Sequence, residues 1–269
     1  MSNKISYNEL FNKKKINNEG VFIPFIVAGD PDYDTSLEIV KTLVNNGVDA
    51  LEIGFPFSDP VADGKTVQDA NFRALNGNMN IKKSMKFLED IRKFTDIPIG
   101  LLLYYNLVYK YGVDEFYKKL SSIGVNGVLI ADLPPEEADP VIESSKKYDI
   151  NQIFIAAQST TNERLEKLTK IASGFIYVVS VMGVTGARRN VENNTTTMIE
   201  RLHNHTDTPL CVGFGISKPD HVKEVLEAVA NGTIVGSAII NIIKDNLDDK
   251  NKMLDSIGTY VKQLKKATI

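Results

Sequence analysis

Apolar residues in this chain fall into short dense runs, separated by stretches in which they recur every three or four positions. The two patterns alternate eight times. The first run, V-F-I-P-F-I-V-A, spans 21–28 and stops at Gly29-Asp30-Pro31. A run that is apolar on both faces marks a strand buried in a parallel sheet. Residues 34–46 then read as a helix with Leu37, Val40, Leu43 and Val44 along one face. The pair of patterns repeats as strand 48–53 with helices over 65–75 and 81–94, then strand 97–103 with a helix over 113–122. Strand 126–131 leads to a helix through 147, strand 151–156 to a helix from 162, and strand 174–180 to a helix over 195–204. Strand 209–213 precedes a helix over 218–230, and strand 232–236 precedes a final helix. Ahead of them all, residues 4–15 read as a short amphipathic helix whose Ile5, Leu10 and Phe11 plug one end of the domain.

Eight strand-helix units in 269 residues favour a closed (β/α)8 TIM barrel over an open doubly wound sheet. The open sheet is usually announced by G-x-G-x-x-G after its first strand, where this chain has A-G-D-P-D-Y. No linker, low-complexity segment or charge block interrupts the alternation. Residues 1–269 are therefore expected to form a single barrel domain with a short N-terminal helix.

Composition removes several function classes. A net charge of −3 offers no basic surface for nucleic acid. The single cysteine, Cys211, excludes an intramolecular disulfide and a thiolate metal cluster, and its place inside strand seven suits packing better than nucleophilic attack. No stretch approaches the ~20 apolar residues of a membrane span. The start, M-S-N-K-I-S-Y-N-E-L-F, lacks the apolar core of a signal peptide, so a cytoplasmic location is expected. His203, His205 and His221 fall on helices or near their ends, away from the strand C-termini, and no metal site is expected. Strands two to eight carry no lysine near their ends, which argues against Schiff-base chemistry.

The candidate chemistry gathers at the C-terminal ends of the strands, where such barrels keep their active sites. In A-L-E-I-G-F-P-F-S-D-P-V-A-D-G, residues 50–64, the alternation that sends Leu51 and Ile53 to the helices sends Glu52 inward. A carboxylate aimed into a barrel is costly unless it is paired, protonated or working. Desolvation is expected to lift Glu52 towards the ~6–7 that suits proton transfer near neutral pH. Asp63, on the following loop, is expected to stay ionised and to hold a positive or N–H group. Pattern alone leaves open that both are ordinary acids hydrogen-bonded to backbone.

Glycines follow each of the last three strands: Met182-Gly183-Val184-Thr185-Gly186-Ala187, Gly213-Phe214-Gly215-Ile216-Ser217 and Gly236-Ser237-Ala238. They fit a phosphate cradle of backbone N–H groups with a helix N-terminus behind it, and equally a set of tight turns. Phe25, Leu102, Tyr104, Tyr177 and Phe214 lie near strand ends, placed either to bury a flat apolar ring or to fill the core.

Taken together, P-F-I-V-A-G-D-P, L-E-I-G-F-P-F-S-D-P-V-A-D-G-x-x-x-Q, G-V-L-I-A-D-L-P, G-V-T-G and G-F-G-I-S occur in an order that resembles the tryptophan synthase α-subunit family, from Pro24 to Ser237 and into the last helix. The resemblance implies retro-aldol cleavage of indole-3-glycerol phosphate to indole and glyceraldehyde 3-phosphate, without metal or cofactor on this chain. It implies an αββα complex in which indole passes to a pyridoxal-phosphate site on the partner β subunit. It casts Glu52 as the acid and base, Asp63 as the holder of the indole N–H, and Tyr177 as a neighbour of the reacting carbons. Thr185, Gly186, Phe214, Gly215, Gly236 and Ser237 then match positions around the phosphate, and Phe25, Leu102 and Tyr104 positions around the indole ring. Asp59 and Asn106 match positions near the β-subunit surface.

In one place the chain departs from the pattern: Val181 stands where some members carry Arg after the serine that ends strand six. Loops 55–64 and 182–194 are expected to be mobile when empty and to close over substrate. Three other readings remain: a stand-alone lyase, a non-catalytic activator of a β subunit, and another phosphate-sugar barrel. The last explains the glycines but not the Glu52-to-Asp63 motif.

Overall fold

The computed structural model describes residues 4–180 and 188–269, the side chains of 188–194 excepted. Eight parallel strands close into a barrel in sequence order: β1 (Val21–Val27), β2 (Leu51–Gly54), β3 (Ile99–Leu103), β4 (Gly127–Ile130), β5 (Asn151–Ala156), β6 (Ile176–Val179), β7 (Leu210–Gly213) and β8 (Gly232–Val235), with β8 returning to β1. Leu51 and Ile53 are buried on the helix side of β2, as the alternation requires. The register sets Phe25 beside Glu52 and Glu52 beside Gly100, so one inward layer runs across the first three strands.

The N-terminal helix, α1 (Tyr7–Ile16), is held by a capping box: the Ser6 hydroxyl accepts from the Glu9 N–H while the Glu9 carboxylate accepts from the Ser6 N–H. Ile5 lies before this helix and is 39% exposed, so it is not part of the plug. Tyr7 takes that role together with Leu10 and Phe11. Its ring enters the floor of the barrel through a gap in the inward layer. A Cβ on Gly100 would stand 2.6 Å from the Tyr7 hydroxyl, and one on Gly127 2.9 Å from its ring. Phe175 meets the same ring edge-on at 5.3 Å.

The outer ring departs from the expected segments at several points. Helix α2 (Tyr33–Asn45) buries Ile39 as well as Val40 and Leu43, while Leu37 and Val44 are only half-buried. After α3 (Lys65–Asn76) and α4 (Ile81–Ile91), Y-Y-N-L-V-Y opens a helix that the apolar pattern does not announce, α5 (Tyr105–Tyr111), ahead of α6 (Val113–Ile123). Then come α7 (Asp139–Lys147) and α8 (Asn162–Ile171). Helix α9 runs Arg188–His203, so it starts well before residue 195 and takes up half of the expected 182–194 loop. Helix α10 (Pro219–Glu227) is shorter than expected, and the final helix is two, α11 (Ser237–Lys244) and α12 (Lys250–Lys266), the second capped by the Asp249 side chain. No helix among the described residues is long and apolar enough to cross a membrane.

Candidate active site

The C-terminal mouth of the barrel holds a cavity of about 390 Å³. Glu52, Asp63, Tyr177, Phe25, Leu102, Phe214, Gly215, Gly236 and Ser237 all line it, so nine of the residues singled out by sequence converge on one space. Thr185 and Gly186 lie outside the described residues.

Glu52 is 2% exposed, and its Oε2 makes no hydrogen bond among the described residues. Buried polar atoms are rarely left this way. Burial pushes its pKa up to about 8, with the nearby Asp63 carboxylate adding to the effect. That exceeds the range expected from sequence, because the acid sits deeper than the strand end alone implies. At neutral pH it is a carboxylic acid with a proton to give.

Asp63 is less free than a loop acid is expected to be. The Tyr104 hydroxyl donates to its Oδ2 at 3.0 Å and itself accepts from the Ala62 N–H at 3.1 Å. Burial raises the Asp63 pKa, and the hydrogen bond from Tyr104 works against that rise. Helix α3 holds both ends of the loop: the Asn71 side chain accepts from the Phe57 N–H at 2.9 Å, and the Gln68 amide donates to the Asp63 carbonyl at 2.9 Å. Tyr104 does not itself line the cavity. It stacks on Phe57 with centroids 5.0 Å apart and serves as a strut for Asp63.

Glycines decide where the rings go. A Cβ at Gly213 would overlap the Tyr177 hydroxyl, so the absence of a side chain there lets that ring lie in the cavity wall. Burial, then the neighbouring Glu52, keeps the phenol neutral. Gly54 and Gly236 leave room for Phe25 in the same way, with hypothetical Cβ contacts of 2.9 and 2.8 Å. After β7 the chain turns through Phe214 at φ 68° and Gly215 at φ 74°, the left-handed region that a β-branched residue would resist. The Ser180 hydroxyl holds this turn by donating to the Phe214 carbonyl at 2.6 Å. Beside it Ser237 opens α11, and the first N–H groups of a helix have no acceptor within it. The cavity thus has a carboxyl side on β2 and its loop, and a donor-rich side after β7 and β8.

Three lining residues lie outside the sequence expectations: Val67, Ile234 and Asn241. Strand alternation already points Ile234 inward with Gly232 and Gly236, and Asn241 lies one helical turn after Ser237. His221 is nearer the site than expected, since its Nδ1 accepts from the Ser217 N–H at 3.3 Å. Among the described residues no cluster of His, Cys, Asp and Glu is placed to hold a metal. Cys211 is fully buried in β7. Asp59 and Asn106 are both exposed at the cavity end of the barrel, on the loop after β2 and on α5.

The sequence matches the tryptophan synthase alpha chain family over residues 11–269. It is 53% identical over 264 residues to the tryptophan synthase alpha chain of Methanothermobacter thermautotrophicus, covering 98% of this chain and 96% of that one. The crystal structure of tryptophan synthase subunit alpha from Legionella pneumophila superposes with a TM-score of 0.90 at 31% identity, covering 97% of each chain. A structure concerned with mutual activation of the tryptophan synthase α2β2 complex from the hyperthermophile Pyrococcus furiosus superposes with a TM-score of 0.85. That match has 35% identity and covers 92% of this chain and 98% of that one.

Proposed function

This chain belongs to the tryptophan synthase alpha chain family and is a lyase of tryptophan biosynthesis, and from that premise we propose that its cavity cleaves indole-3-glycerol phosphate by a retro-aldol step in which Glu52 is both acid and base. The bond to be broken joins indole C3 to the glycerol chain. As a carboxylic acid, Glu52 gives its proton to C3, and positive charge develops on the ring nitrogen. Asp63 faces that nitrogen and stabilises the charge in a pocket poor in water. Glu52, now a carboxylate, takes the proton from the adjacent glycerol hydroxyl. The oxygen forms a carbonyl, the carbon–carbon bond opens, and its electron pair returns to the ring. Indole and glyceraldehyde 3-phosphate result, and Glu52 has recovered its proton.

The observation that carries this reading is the buried Glu52 carboxyl, its Oε2 without a hydrogen bond among the described residues and its pKa raised to about 8, facing the same cavity as the donor-rich turns. Phe25, Leu102 and Tyr177 flank the ring, with Tyr104 acting through Asp63. Gly215, Gly236 and Ser237 receive the phosphate, to which Phe214, Thr185 and Gly186 also belong. The α2β2 complex described for the P. furiosus protein suggests the same assembly for this chain. Asp59 and Asn106 would then face the β subunit, and pyridoxal phosphate would reside on that partner.

The test is indole release by the full chain, with and without a tryptophan synthase β subunit. Release that is slow alone and accelerated by the β subunit is expected, and a Glu52→Gln variant that still binds the β subunit is expected to lose about 10³-fold, the middle of what a positioned acid or base contributes. An active Glu52→Gln protein overturns the roles of both carboxyl groups, and fast release without any partner overturns the assembly.

A further inference from the structure

The cavity has a charge imbalance. Its described lining contains two carboxyl groups, on Glu52 and Asp63, and no lysine, arginine or histidine. Among the described residues, a phosphate dianion entering there meets neutral donors only. Backbone N–H groups at Gly215 and at the start of α11 supply some of them. The side chains offering polar hydrogens at that end are Ser217, Ser237 and Asn241.

Asn241 lies four residues after Ser237 on α11, so the two project from one face of the helix. Its Oδ1 accepts from the Thr66 hydroxyl of α3 at 3.4 Å, while its Nδ2 makes no hydrogen bond among the described residues. A contact of 3.4 Å lies beyond the ordinary range for O–H···O bonds and is readily exchanged. The amide is thus oriented by a weak contact across the cavity mouth, and neither of its N–H hydrogens is taken up among the described residues.

We infer that Asn241 is a substrate-binding residue that sets the preference for phosphate-bearing ligands, its amide donating to the phosphate from the rim while the turns after β7 and β8 hold it from below. This rests on the functional reading above for the identity of the substrate, but not for the presence of an anion subsite. Because the described lining of the subsite offers neutral dipoles, its affinity responds sharply to charge at this position.

The experiment compares Asn241→Ala, Asn241→Asp and Asn241→Lys in the full chain. The readouts are KM and kcat for indole-3-glycerol phosphate and competitive inhibition by two probes, sn-glycerol 3-phosphate and indole. Losing one hydrogen bond to a charged group is expected to raise KM and the glycerol 3-phosphate Ki together by about tenfold in Asn241→Ala. Placing a like charge at the subsite is expected to raise them by at least about 30-fold in Asn241→Asp, and a cation in Asn241→Lys is expected to bring them to or below the native values. Throughout, kcat stays within about twofold and the indole Ki is unchanged, since no hydrogen bond made only in the transition state is removed.

Glycerol 3-phosphate inhibition that is the same in native and Asn241→Asp protein overturns the inference. So does a parallel loss of indole affinity, which would mean that the whole cavity had been distorted. If the native chain releases no indole while glycerol 3-phosphate binds in this charge-dependent way, measured by calorimetry, the functional reading fails and the anion subsite stands.

Discussion

The two ends of this barrel use glycine for opposite purposes. At the floor, Gly100 and Gly127 leave a gap that the chain fills itself, with the ring of Tyr7. At the mouth, Gly54, Gly213 and Gly236 leave gaps that seat Phe25 and Tyr177 around a space the chain leaves open. The floor is packed and 1% exposed at Tyr7, whereas the mouth keeps a buried carboxyl oxygen without a hydrogen-bond partner among the described residues. One residue type therefore serves stability below and chemistry above. What separates the uses is whether the vacated volume is claimed by another part of the chain.

If the floor is purely structural, emptying it is expected to cost stability and little else. Tyr7→Ala removes a fully buried ring, and a loss of about 3–5 kcal/mol is expected by urea denaturation, as for other large-to-small aromatic changes in cores. The fraction that remains folded should release indole at close to the native rate. A rate loss larger than the loss of folded protein would erase the distinction between the two ends.

At the mouth the same logic runs in reverse. Gly213→Ala pushes a methyl group into the Tyr177 hydroxyl and displaces that ring from the cavity wall. A fall in kcat/KM of roughly 10–100-fold is expected, in line with the cost of a misplacement of about 1 Å near the reacting atoms. A second substitution that shortens residue 177 is expected to recover part of it. Native kinetics in Gly213→Ala alone would mean that the ring has no positional role.

Glu52 links the two ends, because an acid kept for chemistry weakens the fold. Its pKa is about 8 when folded against an ordinary value of 4.5, so the unfolded chain holds fewer protons on this group between those limits. Stability from this group is fully present below about 4.5 and declines as pH rises towards about 8, at roughly 1.4 kcal/mol per pH unit. Glu52→Gln is expected to flatten that decline and to unfold at a higher urea concentration than the native chain at pH 8. Identical pH dependence in both proteins would place Glu52 outside the dry interior.

The smallest effect belongs to the strut. Tyr104→Phe removes the hydrogen bond that offsets the burial of Asp63, so the Asp63 pKa rises further. The acidic limb of the kcat/KM profile is expected to move to higher pH, with a loss of about threefold to tenfold at neutrality, the net worth of an ordinary intramolecular hydrogen bond. An unmoved limb would take Asp63 out of the rate-determining proton inventory.

The site is legible in the sequence where local rules reach and illegible where distant residues decide. Alternation through Leu51, Glu52 and Ile53 is enough to aim the acid inward, because a strand has only two faces. The floor is misassigned to Ile5 because the choice of Tyr7 is made by glycines more than ninety positions away, which no local period encodes. Helix α5 escapes because Tyr105, Val108, Tyr109 and Tyr111 are as common in strands as in helices. The strut from Tyr104 to Asp63 and the Asn71 and Gln68 clamps join residues through side-chain hydrogen bonds, and such bonds leave no periodic trace. Asn241 does have a local signal, its spacing of four from Ser237, but it lies a helical turn beyond any strand end.

Tyr7 also imposes an order on assembly. Its helix is made before any strand, yet its seat lies among β3, β4 and the segment leading into β6, all of which are made later. Until those strands close, the interior beneath Glu52 is open to water and the acid has its ordinary acidity. The proton that drives the reaction therefore becomes available only once the barrel has closed around Glu52, so an immature chain holds the residue but not its chemistry.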